Sequence, residues 1–347
     1  MYKMTLVLIV KNESRCIERC LSSFREYVDE IILVDTGSTD DTIQKAKKYH
    51  PIIQEIEWRN DFSWARNTAL EMSSGDWNMV VDADEWLIGG GQTLLGLKTK
   101  SAEFVGVVEI ENQLGDDRQM QRSHVALPRI LPRAVRYVGK IHEQPKHTFP
   151  TQRLDIRFGH DGYLGEQQVH KRGRNEQILR SELESAPIDA YLNYQLGKDL
   201  AIQEKYQESI AFFETAKRGA LANVIWRHDV VVRLLFSYKK AKRFSEGFSL
   251  IADEEPRYSY SPDFYFCCGD FCIDGALYLP DHSQTLIPMI ESYFLKARAV
   301  GENSQIDDRV VGRGSFLAAY NLYAFYSSTG RDELANQYLK LYEAEKI

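Results

Sequence analysis

The chain has 347 residues, 44% hydrophobic and 27% charged, with a formal net charge of −7. That length suffices for two domains and a sizeable core, and the composition excludes wholesale disorder. The acidic balance argues against nucleic acid as a partner, and no apolar run approaches the roughly eighteen residues that a membrane span needs.

In chain order, Met4–Val10 reads as a buried strand entered almost at once, without a signal-peptide cleavage pattern. Lys11-Asn12-Glu13-Ser14 follows, and Ile17, Leu21 and Phe24 then recur at helical spacing. A second strand over 30–34 ends at Asp35. Residues 36–42 supply a turn and a helix start, with Ser or Thr expected as the cap and acids in the first turn. Strand, helix, strand, turn and helix form a βαβ pattern, hence a parallel sheet whose ligands lie beyond the carboxyl ends of its strands. No GxGxxG follows the first strand and no GxxxxGKS/T occurs, which counts against a dinucleotide site and a P-loop.

Trp58-Arg59-Asn60-Asp61-Phe62-Ser63-Trp64-Ala65-Arg66-Asn67 is dense in polar and aromatic groups. Arg66 suits a phosphate or a base edge. Asp61 either accepts from a uracil or pairs with Arg66 to pin a helix. The apolar run Met79, Val80 and Val81 then stops at Asp82-Ala83-Asp84-Glu85. Carboxylates at i and i+2 on an extended strand end point the same way, and burying them unpaired is costly, so a cation or donors belong there. Hard oxygen ligands suit Mg²⁺ or Mn²⁺ shared with substrate phosphates. A solvated acidic loop is the plain alternative.

Four segments in this order resemble family 2 glycosyltransferases of the GT-A fold. They are Ile9-Val10-Lys11-Asn12-Glu13, Val34-Asp35-Thr36-Gly37-Ser38-Thr39-Asp40, Asp61-Phe62-Ser63-Trp64-Ala65-Arg66-Asn67 and Asp82-Ala83-Asp84-Glu85. The resemblance implies that the first two, with Val10, Asn12, Glu13 and Asp35, hold the nucleoside of a UDP-sugar. It makes Asp61 a second uridine contact, Arg66 a nucleotide contact, and Asp84 the direct ligand of a divalent cation on the diphosphate. Asp82 then orients the ribose or the water shell of the metal.

Further on, Gly89-Gly90-Gly91 reads as a flexible break, and 104–110 as another strand. Arg118, Arg122, Arg129, Arg133 and Arg136 are interleaved with apolar residues; most are expected on the solvent side, a few toward the diphosphate. His142-Glu143 before Gln144-Pro145 offers a general base, or simply a hydrogen-bonded pair that fixes a loop. A strand over 154–158 leads to Gly159-His160-Asp161-Gly162-Tyr163, where His160 is a late metal ligand or a diphosphate donor. Ile141-His142-Glu143-Gln144-Pro145 and His160-Asp161-Gly162-Tyr163, with Asn60-Asp61-Phe62-Ser63, are similar to the bacterial peptide S-glycosyltransferases that build glycocin (sublancin-type) bacteriocins. The likeness extends to 171–179 and Pro256-Arg257-Tyr258. It places Glu143, assisted by His142, at the catalytic base, and His160 with Asp84 at the metal. Because the first strand comes so early, no N-terminal extension is expected.

A boundary near 168 divides a GT-A domain (1–168) from a helical domain (169–347). The second opens with the basic run Lys171-Arg172-Gly173-Arg174, read as a solvated face. Leu196-Gly197, Leu200, Ser209, Phe213 and Ala216 fit tetratricopeptide spacing; so do Leu322-Tyr323, Tyr326, Ala335 and Leu339, and more loosely Leu235, Tyr238, Phe244 and Ile251. Such an array holds a peptide or buries a homodimer seam. Tyr258, Tyr260, Phe264, Tyr265 and Phe266 are expected in its core. Five cysteines, Cys16, Cys20, Cys267, Cys268 and Cys272, lack zinc spacing and fit helical cores in a reducing, cytoplasmic compartment.

The expectation is therefore an α/β GT-A domain followed by a tetratricopeptide-like domain. Together they would transfer a hexose, glucose for preference, from UDP-hexose to a cysteine of a bacteriocin precursor peptide, with inversion and with Mg²⁺ or Mn²⁺. The alternatives are a Ser/Thr hydroxyl or surface-polysaccharide acceptor on the same fold, and a non-catalytic peptide scaffold.

Overall fold

The computed structural model describes residues 1–114, 121–162, 173–222, 224–304, 306 and 308–346. Arg118, Tyr163, Lys171 and Arg172 lie outside the described residues. The chain divides into two compact units, 1–171 and 172–347.

The first unit carries β1 (Met4–Val10), α1 (Ile17–Phe24), β2 (Glu30–Asp35), α2 (Thr42–Ala46), β3 (Ile52–Glu55), α3 (Phe62–Met72), β4 (Trp77–Val80), β5 (Glu85–Gly89), α4 (Gly91–Leu97), β6 (Val105–Leu114), β7 (Gln121–Pro132), β8 (Arg136–Val138), β9 (Gln144–Lys146) and β10 (Thr151–His160). The main sheet runs β3-β2-β1-β4-β7-β6-β10-β5. Parallel pairing joins β3, β2, β1 and β4, and also β6 with β10. β7 is antiparallel to β4 and β6, and β5 to β10. β8 and β9 make a separate antiparallel pair. The sheet is thus mixed and mostly parallel.

Strand alternation sorts its side chains into two layers. Leu6, Leu8 and Val10 of β1 join Ile17, Cys20, Leu21 and Phe24 of α1 on one face, while Val7 joins Ala69 and Leu70 of α3 on the other. Phe24 meets Phe158 edge-on at 5.0 Å. Burying each such ring or branched chain stabilises the unit by about 1.5–3 kcal/mol.

Two local expectations are corrected. The helix over 42–46 is not capped by a Ser or Thr: Asp40 accepts from the Thr42 amide at 2.9 Å, and the Thr42 hydroxyl instead takes the Glu13 amide at 2.7 Å. Gly89-Gly90-Gly91 is not a loose break. Gly90 has φ +90°, and a Cβ there would stand 2.3 Å from the Asp155 carbonyl oxygen, so the glycines permit close packing of α4 on β10.

The second unit contains α5 (Arg174–Ser185), α6 (Ala190–Ile202), α7 (Tyr206–Gly219), α8 (Arg227–Lys240), α9 (Phe244–Glu254), α10 (Pro262–Tyr278), α11 (Ser283–Val300), α12 (Phe316–Ser328) and α13 (Asp332–Glu345). Short turns at 203–205, 241–243 and 329–331 each hold one left-handed residue, Glu204, Lys242 and Gly330. Leu196, Leu200, Ser209, Phe213 and Ala216 are all buried. A Cβ on Gly197 would lie 2.8 Å from the Phe213 ring, which explains a glycine inside α6. The helices form a tetratricopeptide-like array. Tyr258, Phe264 and Tyr265 are core residues as expected, but Tyr260 is 51% exposed. All five cysteines are free and buried, and burial pushes the Cys267 thiol up to about 11. Among the described residues no helix is long and apolar enough to cross a membrane.

Candidate active site

The carboxyl ends of β1, β2 and β4 gather the polar segments singled out above. At the end of β1, Asn12 adopts a left-handed conformation (φ 58°) and stitches two loops together. Its amide donates to Ser38 Oγ at 3.0 Å, and its Oδ1 accepts from the Thr39 amide at 2.7 Å. The Val10 carbonyl receives the Thr36 amide at 3.0 Å. At the end of β2, the buried Asp35 accepts from the Ser38 amide and hydroxyl, at 3.0 and 2.7 Å to Oδ1.

Asp61 caps α3, accepting from the Trp64 amide at 2.9 Å. An Asp61–Arg66 pair is not found. Arg66, one turn further on, is buried and turned inward instead: its Nη2 donates to Asp82 Oδ1 at 2.7 Å and its Nε to Glu143 Oε1. Asn67 fixes the facing segment. Its side chain donates to the Tyr137 carbonyl at 2.9 Å and accepts the Tyr137 amide at 2.8 Å, which brings β8 and the following Glu143 against α3. His142 sits beside it at φ 49°.

Asp82 and Asp84 do not converge as an extended strand end would make them. The chain turns at 83–84, and the two carboxylates take different partners. Asp82 lies between two guanidiniums, Arg66 and Arg129, the latter 2.7 Å from Oδ2. Arg129 also bridges to Glu85 Oε1. Burial alone would raise the Asp82 pKa, but the two arginines outweigh it and hold the group far below the usual carboxylate range. Glu85, 2% exposed, is pushed up by its burial, and Arg129 only partly offsets this.

Asp84, 5% exposed, faces His160 from the end of β10, with Oδ2 and Nε2 3.4 Å apart. His160 Nδ1 lies 2.8 Å from Asn112 Oδ1, and the Asn112 amide nitrogen is engaged with Ser123 Oγ at 3.2 Å. This chain makes Nδ1 the donor, so Nε2 is the nitrogen presented to Asp84. Burial works against a charged imidazole, but the Asp84 contact and the neighbouring carboxylates prevail and raise its pKa. Gly162 closes the pair from one side: a Cβ there would lie 2.2 Å from Asp84 Oδ2 and 2.5 Å from His160 Nε2.

A carboxylate oxygen and an oriented imidazole nitrogen at this spacing suit a divalent cation such as Mn²⁺ or Mg²⁺. Among the described residues no three His, Cys, Asp or Glu side chains converge. The remaining ligands would come from a diphosphate and water, as is usual for these ions. Arg66 Nη1, Arg129 Nε and the Tyr137 hydroxyl are buried with no hydrogen-bond partner among the described residues. Arg66 stands 5.6 Å above the Tyr137 ring. Orphaned buried donors are a place for a polar ligand.

Residues 5–93 match the model of glycosyl transferase family 2. They are a family 2 glycosyltransferase domain. The chain is 29% identical over 227 residues to the SPbeta prophage-derived glycosyltransferase SunS of Bacillus subtilis, an alignment covering 60% of this chain and 52% of that protein. It is 33% identical over 217 residues to a TPR repeat-containing protein of Synechococcus elongatus, covering 59% and 53%. The chain spans about half the length of the curated relatives it matches. Among solved structures, Staphylococcus aureus TarS 1–349 in complex with UDP aligns with TM-score 0.36 at 13% identity, covering 71% of this chain and 92% of that one. Glucosyl-3-phosphoglycerate synthase of Mycobacterium tuberculosis, in complex with Mn²⁺, UDP and glucosyl-3-phosphoglycerate, aligns with TM-score 0.27 at 24% identity, covering 32% of this chain and 44% of that one.

Several residues of the first unit escaped the sequence reading. Arg129 was one arginine among five; its signal was a place in β7 next to β4, where alternation sends it inward beside Asp82. Asp161 accepts Arg15 at 2.8 and 3.0 Å and Arg19 at 2.8 Å, tying α1 to the end of β10. Asn112 sets the orientation of His160 from within β6. Each depends on strand pairing, which local pattern does not reveal.

Proposed function

We propose that this protein is an inverting glycosyltransferase that moves a hexose, glucose for preference, from a UDP-sugar to a cysteine side chain of a bacteriocin precursor peptide. The observation that carries the reading is the Asp84–His160 pair at the strand ends of a family 2 domain, beside an Asp82 already neutralised by two arginines. In this scheme Val10, Asn12, Glu13, Asp35 and Asp61 hold the nucleoside, and Arg66 supports the nucleotide. Asp84 and His160 hold Mg²⁺ or Mn²⁺, which when bound neutralises the departing diphosphate.

Glu143 Oε1 is engaged by Arg66, so Oε2 takes the acceptor proton, with His142 adjacent. The thiol sulfur attacks the anomeric carbon as the bond to the diphosphate oxygen breaks; its proton passes to Glu143, and UDP leaves with the electron pair. A carboxylate is a weak base. It matches a thiol, whose pKa is near 8.5, better than a serine hydroxyl, and the Arg66 charge favours a thiolate nearby.

The test is incubation with UDP-glucose, Mn²⁺ and a cysteine-bearing precursor peptide, read by mass spectrometry with β-elimination to separate S- from O-linkage. A hexose on cysteine supports the proposal. A hexose on Ser or Thr reassigns the acceptor, and absence of UDP binding with Mn²⁺ by calorimetry points to a scaffold.

A further inference from the structure

The β8–β9 hairpin carries two like charges set opposite each other. Its strands pair Arg136 with Lys146, Tyr137 with Pro145 and Val138 with Gln144. Tyr137 is buried among Val135, Ala69 and Leu70, so alternation puts Arg136, Val138, Gln144 and Lys146 on the outer face. Val138 is 47% exposed, and Gln144 and Lys146 are exposed beside it. Like charges directly across an antiparallel ladder destabilise it, and a lone pair of three-residue strands is marginal to begin with.

Elsewhere in this unit cations are matched: Arg15 and Arg19 meet Asp161, Lys48 meets Glu18, Lys98 meets Asp29, and Arg129 meets Asp82. Around the hairpin the balance is different. Among the described residues no carboxylate pairs with Arg133, Arg136 or Lys146; Arg136 turns Nη1 to the Arg133 and Val135 carbonyls, at 2.7 and 2.8 Å. Residues 133–147 hold Arg133, Arg136, Lys140 and Lys146 against the single acid Glu143, in a chain whose net charge is −7. That one acid is engaged by the buried Arg66. The outer face is therefore cationic, and it adjoins the segment that carries Glu143. Three residues of extended chain place the Lys146 backbone about 10 Å from that of Glu143.

We propose that the outer face of β8–β9, with Arg136 and Lys146 at its centre and Arg133 at its edge, docks the acidic part of an extended acceptor peptide. Carboxylates on the peptide offset a repulsion that the hairpin otherwise bears alone, and Val138 offers an apolar contact between them. The spacing follows from the strand: an acid about three residues from the reacting residue meets Lys146 while that residue meets Glu143. The position beside the reaction rests on the reading of Glu143 as the base; capture of an acidic peptide by this face does not.

The experiment uses the full chain and two fluorescein-labelled synthetic peptides of glycine and serine with one central cysteine. One has Glu three residues to either side of the cysteine, the other Gln. Fluorescence anisotropy without donor sugar should show the Glu peptide binding about three- to tenfold more tightly, as two exposed ion pairs allow. High salt should remove the difference. The variant carrying Arg136→Gln and Lys146→Gln should bind both peptides alike, with UDP affinity unchanged by calorimetry. Its melting temperature should be equal or slightly higher, because the opposed pair is gone. Arg136→Glu with Lys146→Glu should reverse the preference, toward a peptide with Lys at the same two positions.

Equal binding of the Glu and Gln peptides by the unaltered chain, or a preference that survives in the Gln variant, overturns the proposal. Capture by phosphatidylserine vesicles without selection between the peptides also overturns it, and assigns the face to a lipid surface. If circular dichroism shows the double variant unfolded, Lys146→Gln alone is measured in the same way and must still lessen the preference. Transfer from UDP-glucose with Mn²⁺ is scored separately. Selective binding without transfer leaves the docking face standing and removes the reaction; transfer without selective binding does the reverse.

Discussion

Arg129→Met removes the one guanidinium shared by Asp82 and Glu85 while keeping an unbranched side chain of similar length. Asp82 retains Arg66 at 2.7 Å, but Glu85 loses its guanidinium partner, and Glu85 is 2% exposed. Leaving a buried charge without its partner costs about 3–5 kcal/mol. For a unit spanning 1–171 that corresponds to a melting shift of roughly 6–20 °C. The cost depends on pH. Glu85 already has a raised folded pKa, and losing Arg129 raises it further. Between the unfolded and folded values the native state binds a proton that the unfolded state does not, so stability falls as pH rises through that window. The deficit should be small near pH 4 and full above the folded pKa. Urea melts followed by tryptophan fluorescence at pH 5 and pH 8 read this directly, since Trp58, Trp64, Trp77 and Trp86 all lie in this unit. A loss below about 0.5 kcal/mol, the range of an ordinary surface change, refutes the clamp. A loss equal at both pH values refutes the role of Glu85.

Asp84→Asn should abolish the gain in UDP affinity that Mn²⁺ gives, by calorimetry, with the melting temperature little changed. Gly162→Ala should weaken Mn²⁺-dependent UDP binding about tenfold or more, because its Cβ would lie 2.2 Å from Asp84 Oδ2. Glu143→Gln should lower turnover by about 10²–10⁴ with UDP binding retained, if Oε2 takes the proton; near-normal turnover moves the base elsewhere. Glu30, held down to about 2 against the cost of its burial by the Ser74 amide and the Thr5, Ser74 and Lys3 side chains, contributes stability that is whole above pH 4.5 and lost as pH falls through 2. Glu30→Gln should therefore cost about 1–3 kcal/mol at pH 7 in a chemical melt, and little at pH 2.

The strands were legible because their signal is local. Met4–Val10 and the Asp35 terminus follow from unbroken apolar runs, and the helix over 17–24 from the spacing of Ile17, Leu21 and Phe24. Tetratricopeptide spacing worked for the same reason: Gly197 and Phe213 meet because each repeat dictates its own contact. Partner choice was not legible. Reading Asp82 and Asp84 as a convergent pair assumed that the backbone stays extended past Val81, and a turn at 83–84 separates them. Beside Asp84 stands His160, which the family resemblance had set next to it, on a strand that reaches the site because β10 runs parallel to β6 and antiparallel to β5.

The same topology decides what the acids can do. With both arginines on Asp82, its charge is already neutralised inside the protein, and it is poorly suited to gain by binding a second cation. Asp84 faces the His160 imidazole, and Asn112 keeps Nε2 directed at Asp84. Cation binding should thus fall to the carboxylate at position 84, while the one at 82 holds Arg66, which in turn engages Glu143. Neutralising residue 82 would then disturb the proposed base before it disturbed the metal. A measurement that finds Asp82→Asn weakening Mn²⁺ binding more than it slows turnover would invert that assignment.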